Sequence, residues 1–176
     1  HSACEAIAAY DATTLSNISH IVTHTYSPND SQRLHQLAEA KGKPLWISEY
    51  GDGERSGLQL ARRIRNDIVE KHAAAWIYWQ FADGGGWGLV NNRLDGRDPR
   101  FRLTRKFHVM AQFSRFIRPG FRIVATSDGD SLAAYDAAKK QLIIVDVNDS
   151  YNSRTVIFNL SGIFTSTTKV ISHRTS

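Results

Sequence analysis

Between residues 20 and 81 the apolar periodicity switches from two to about 3.6 and back, twice, and this alternation constrains the fold more than any other feature. "HIVTHTY" (His20 to Tyr26) is short, β-branched and alternating, as a strand requires. Pro28, Asn29, Asp30 and Ser31 supply turn and N-cap chemistry. "SQRLHQLAEAKG" then places Leu34, Leu37 and Ala38 on one helical face, with Gly42 as its stop. "PLWISEY" is a second strand. "SGLQLARRIRNDIVEKHAA" is a second helix, with Ser56 as its expected cap and Leu60, Ile64 and Ile68 on one stripe. "AWIYWQF" reads as a third strand. Strand-helix-strand-helix-strand with compact connections describes parallel βαβ units.

The glycine-rich stretch from Ala82 to Phe101 reads as a loop. A helix follows in "TRKFHVMAQFSRFI", with Val109, Phe113, Phe116 and Ile117 towards a core and Pro119-Gly120 as its end. Beyond Gly120 the helical stripe disappears. "FRIVATS", "SLAAYDA", "QLIIVDVN", "RTVIFNLS" and "TKVISHR" are short strand-like runs broken by Asp-Gly-Asp, Lys-Lys and Asn/Asp/Ser clusters. They read as antiparallel β, part of a sandwich. The boundary divides the chain into residues 1–118, α/β, and 119–176, all β. Three parallel strands cannot close a barrel, which takes eight strands and typically ~250 residues. The 176 residues are therefore expected to be a piece of a longer protein.

No apolar run approaches the ~20 residues of a membrane helix, so no membrane partner is expected. The lone cysteine, Cys4, rules out an intrachain disulfide. Asn-x-Ser/Thr occurs at Asn17, Asn29, Asn148 and Asn159. Roughly one such site would arise by chance, and the excess leans towards a secreted protein. Much of the net charge of +5 lies between Arg93 and Arg122. Without a nucleic-acid-binding motif beside it, that cluster reads as a solvated helix face and loop rather than a nucleic-acid site.

The strand ends carry the chemistry. Leu45, Ile47 and Glu49 share one side of their strand, and Glu49 ends it beside Tyr50 and Gly51. In parallel α/β folds, active groups sit at the carboxyl ends of strands. A carboxylate there suits catalysis, or else a helix cap or an arginine partner. His24 and Tyr26 close the first strand on a shared side, and Trp79 and Gln80 close the third. An acid ringed by aromatic faces and hydrogen-bonding tips suits a sugar. Trp87, in "DGGGWG", reads as part of a rim loop, because no Lys-Ser/Thr follows to make a phosphate loop. The histidines form no His-Glu-x-x-His pattern, no Gly-x-Ser-x-Gly elbow occurs, and no metal or other cofactor is expected. A non-catalytic carbohydrate-binding chain using Trp79, Trp87 and Tyr26 is the alternative reading.

The order "THTY", "LWISEYG", "WIYWQF", "FSRFIRPGF" resembles the later part of glycoside hydrolase family 30, most nearly its fungal endo-β-1,6-galactanases. The resemblance covers most of the chain, from about residue 20 into the β-rich tail. It implies the last three strands of a (β/α)8 TIM barrel followed by part of a β-sandwich side domain. It also implies retaining hydrolysis of a cell-wall polysaccharide, secretion, and a monomeric full-length protein. Glu49 then matches the nucleophile at the end of the seventh strand. His24 and Tyr26 fall at the end of the sixth, and Trp79 matches the aromatic floor of the sugar subsite. The family's acid/base Glu follows an Asn, and this chain contains no Asn-Glu pair. Alone, the chain is expected to be inactive and poorly soluble.

Overall fold

A computed structural model describes residues 3–26, 31–93, 100–161 and 169–175. Two short helices, α1 (Ala3–Ala8) and α2 (Ala12–Asn17), precede the alternating segment. That segment comprises β1 (Ile21–His24), α3 (Ser31–Ala40), β2 (Leu45–Glu49), α4 (Leu58–Val69) and β3 (Ala75–Trp76). The three strands pair in parallel in the order β1-β2-β3, with Ile21 opposite Leu45 and Trp46 opposite Ala75. Leu45 and Ile47 are buried, as the strand alternation requires. Leu34 and Ala38 of α3 pack with Ile21, Leu45, Cys4 and Ile7 in one apolar cluster. Gly42 stops α3 with a left-handed φ of 62°.

Three expectations change here. The third strand is shorter than "AWIYWQF": its ladder holds only Ala75 and Trp76. The chain nevertheless keeps contact with β2, because the Ile77 N–H donates to the Ile47 carbonyl and the Trp79 N–H to that of Tyr50. The cap of α4 is Gly57, at φ 80°, rather than Ser56. Glu54 occupies the hydroxyl of Ser56 and accepts the N–H groups of Ser56 and Gly57. Lastly, the supposed loop after residue 81 is a small sheet, β4 (Ala82–Asp83), β5 (Val90–Arg93) and β6 (Arg100–Leu103). β5 lies parallel to β4 and antiparallel to β6. Residues 94–99 of that stretch, with Asp95 and Asp98 of the basic cluster, lie outside the described residues.

Helix α5 (Arg105–Ser114) starts at Thr104, whose hydroxyl accepts the Phe107 N–H. It buries Val109 and Phe113. Strands β7 (Arg122–Val124), β8 (Ser131–Asp136) and β9 (Gln141–Asp146) form an antiparallel meander. Leu132 and Val147 share an apolar cluster with Leu60 and Ile64 of α4 and with Val109 and Phe113 of α5. Arg62 of α4 bonds Asp130 at 2.5 Å and Asp149 at 2.8 Å, which ties helix to sheet. The last two strand-like runs differ from expectation. Residues 154–161 and 169–174 form no strand, and Ile157 and Val170 stand 88% and 83% exposed. An apolar run without a partner strand has nothing to hold its backbone in a ladder. Among the described residues the β-rich part is one three-stranded sheet, with no second layer.

Candidate active site

Glu49 ends β2, and each of its carboxylate oxygens faces a side chain of the first strand's end. The Tyr26 hydroxyl donates to Oε1 at 2.9 Å, and His24 Nε2 lies 3.5 Å from Oε2. The carboxylate keeps one-fifth of its surface open to solvent, and no arginine pairs with it among the described residues. A register shift between Thr23 and His24 creates this meeting. Thr23 pairs with Ile47, but His24 pairs with Glu49, and the Thr25 N–H donates to the Glu49 carbonyl. The two rings stand edge to face, 6.2 Å apart. Desolvation and the bond to Glu49 push the Tyr26 phenol up to about 12, so it stays protonated and remains a donor at neutral pH.

The aromatic wall is built on Gly51. A methyl group there would lie 3.0 Å from Trp79 Cβ and 3.1 Å from Trp87 Cε3, so both indoles rest against bare backbone. The outer parts of both stay in solvent, with Trp79 51% and Trp87 41% exposed. Tyr26, 44% exposed, stacks obliquely on buried Tyr50. Gln80 is half-buried, and its carbonyl accepts the Leu89 N–H. Of the residues expected around Glu49, Tyr26 hydrogen-bonds its carboxylate and His24 lies beside it.

Sequence reasoning missed what holds this wall. Lys106, 1% exposed, donates to the carbonyls of Asp52 at 2.5 Å, Gly86 at 2.8 Å and Trp87 at 3.2 Å. One buried ammonium thus staples the glycine-rich loop to the segment after β2. The Tyr78 hydroxyl adds a 2.6 Å bond to the Trp87 carbonyl. Asp83 accepts the N–H groups of Trp87 and Gly85, and these two bonds hold its carboxyl below the usual aspartate range. A lysine inside a basic run gives no sign that it will be buried. Only its period with Val109 and Phe113 on α5 hints at the inward face. A cavity of about 350 Å³ is lined by Arg55, Gly84, Gly85, Gly86, Asn91, Thr104 and Lys106, and Glu49 is not in its wall. Among the described residues no His, Cys, Asp and Glu cluster could hold a metal ion, and no helix is long and apolar enough to cross a membrane.

A carboxylate at a parallel strand end, held by a phenol and an imidazole and flanked by solvent-facing indoles, defines an α/β protein with an acidic, aromatic-lined site. Comparison with known proteins narrows this class. No family model matches the chain. It is 36% identical over 154 residues to an endo-β-1,6-galactanase of Hypocrea rufa, an alignment covering 86% of the chain and 32% of that protein. It is 29% identical over 155 residues to the glucuronoxylanase XynC of Bacillus subtilis, covering 80% of the chain and 34% of that protein. The crystal structure of a glycoside hydrolase family 30 subfamily 8 xylanase from Clostridium acetobutylicum superposes with a TM-score of 0.60 at 29% identity, over 72% of the chain and 33% of that structure. The chain is thus a homologue of an endo-β-1,6-galactanase, with glycoside hydrolase family 30 xylanases among its structural neighbours. It spans about a third of the length of the relatives it matches.

Proposed function

We propose that the protein carrying this chain is a retaining β-glycoside hydrolase that cleaves a cell-wall polysaccharide, a β-1,6-galactan first among candidates, with Glu49 as nucleophile. Residues 1–118 would complete a (β/α)8 barrel, and residues 119–176 would join a β-sandwich beside it. The observation that carries this reading is Glu49 itself, at a strand end with one oxygen on Tyr26, the other beside His24, and indoles on the adjoining Gly51.

In this mechanism a Glu49 oxygen attacks the anomeric carbon while a second carboxyl group ~5–5.5 Å away protonates the departing oxygen. Water then cleaves the glycosyl ester, with the second group acting as base. Tyr26 and His24 fix the carboxylate's orientation. Trp79 and Trp87 offer faces for the C–H sides of sugar rings, and Gln80 offers an amide to hydroxyls. Three of the four other glutamates are committed elsewhere, and the fourth, Glu5, lies on α1. Glu54 caps the turn before α4, Glu70 pairs with Arg65, and Glu39 lies 3.6 Å from His35. Asp52 accepts the Tyr50 hydroxyl. The acid/base group is therefore assigned to a part of the protein outside this chain. Lacking such a group costs typically 10²–10⁴-fold, so the chain alone should be inactive. A polymeric substrate calls for action outside the cell.

The test is Glu49→Gln in the whole protein, assayed on β-1,6-galactan, glucuronoxylan and β-1,6-glucan. Hydrolysis should fall by roughly 10⁴-fold or more. Unchanged hydrolysis would instead make these residues a carbohydrate-binding surface.

A further inference from the structure

The far side of β1 holds a buried polar network that the chemistry above leaves unused. Thr25 lies between the two residues that face the Glu49 carboxylate. Its neighbours His24 and Tyr26 are exposed, whereas Thr25 is 1% exposed, pointing inward towards α4. There its hydroxyl donates to Asp67 Oδ1 at 2.9 Å and accepts from Lys71 Nζ at 2.7 Å. Lys71 Nζ also lies 2.7 Å from Asp67 Oδ1, and the Trp76 indole N–H donates to Asp67 Oδ2 at 2.9 Å. Asp67 is fully buried and Lys71 is 4% exposed. Among the described residues no buried side-chain polar atom lacks a partner. One carboxylate thus joins the end of β1, the end of β3 and the last turn of α4.

A buried ion pair is not in itself a gain in stability. Apolar residues of similar volume often serve as well or better, because desolvating two charges offsets their attraction. Two things suggest positioning instead. The network grips β1 immediately after the register shift that brings His24 opposite Glu49. It also grips the one residue whose backbone N–H bonds the Glu49 carbonyl while its hydroxyl faces the helix. The strand end is therefore fixed from both sides, through its backbone to β2 and through its side chain to α4.

We infer that Thr25, held by Asp67 and Lys71, is a positioning residue for the nucleophile: it locks the shifted end of β1 so that Tyr26 and His24 meet the two oxygens of Glu49. This rests on the assignment of Glu49 as nucleophile. It extends that assignment to a buried layer that never touches substrate.

Thr25→Val keeps the volume and removes the hydroxyl, and Asp67 and Lys71 can still pair with each other. In the whole protein acting on β-1,6-galactan, kcat should fall roughly ten- to a hundredfold, since small misplacements of catalytic groups carry such costs, with KM within about twofold. Thr25→Ser, which restores the hydroxyl, should recover most of kcat. Ultraviolet titration against a Tyr26→Phe reference should show the Tyr26 phenol, raised by desolvation and by its bond to Glu49, titrating at lower pH in Thr25→Val than in the wild type and unchanged in Thr25→Ser. Thr25→Ala serves as the second variant where valine does not fit. A wild-type kcat in the variants lacking the hydroxyl, a loss that serine does not restore, or a loss without the Tyr26 shift would each overturn the inference. Glu49→Gln separates the two claims. If it stays active, the nucleophile assignment fails. If it is dead while Thr25→Val is normal, only the positioning role fails.

Discussion

Asp83 shows how one carboxylate can hold a loop in a pH-dependent way. Its bonds from the Trp87 and Gly85 N–H groups favour the charged form and depress its folded-state pKa below the ordinary 3.8. Stabilisation of this kind is fully present above the unfolded value and is lost as pH falls through the depressed folded one. Trp87 should therefore loosen from Gly51 only in acid below 3.8. Its fluorescence, taken as wild type minus Trp87→Phe, should change there, and Asp83→Asn should abolish the transition. At this scale the sequence was informative where a residue's position follows from strand alternation. Glu49, His24 and Tyr26 were legible because alternation fixes which side chains share a face. The one-residue shift at His24 was not, because it depends on how β1 registers against β2. Lys106 was hidden as well, since its three acceptors are backbone carbonyls contributed by distant segments.

Among the elements, α4 begins under the tightest restriction. Gly57 combines φ 80° with a position where a Cβ would sit 2.8 Å from Val109 Cγ2 on α5. Gly57→Ala should destabilise the protein by about 2 kcal/mol through backbone strain and that contact, a drop that thermal denaturation can read. Ser56 looked like the cap because serine commonly fills that role; Gly57 takes the cap position instead, while the Ser56 hydroxyl donates to Glu54 and still accepts the N–H of Leu58 at 3.1 Å. Helices α3, α4 and α5 were legible from period, whereas α1 and α2, at six residues each, were too short to show a stripe. The small β4-β5-β6 sheet was not legible either. Its strands are short and rich in asparagine and arginine, a glycine-rich connection joins β4 to β5, and the Val90 and Leu89 N–H groups reach the Phe81 and Gln80 carbonyls beside that pair. The opposite error occurred in "RTVIFNLS", where strand-like composition found no partner.

Across the whole molecule, the α/β and all-β parts are joined by apolar packing and by Arg62. Its guanidinium bonds Asp130, Asp149 and the Val147 carbonyl, and these carboxylates raise its pKa still further above its already high value. Arg62 is a quarter exposed and its partners more so, so Arg62→Ala should cost only about 1 kcal/mol in overall stability. Its clearer signature should be faster amide exchange around Val147, where β9 meets α4. A parallel layer followed by a meander was legible from the change of period near Gly120, whereas their shared core depends on Leu132 and Val147 reaching α4 and α5. At Gly51 the depth of the proposed sugar cleft is set by an atom the protein does without. With hydrogen in place of carbon, the two tryptophans close onto the main chain. One added methyl would press on Trp79 and Trp87 at 3.0 and 3.1 Å and push both back from the main chain by a few tenths of an ångström, tilting the surface on which a guest ring would rest.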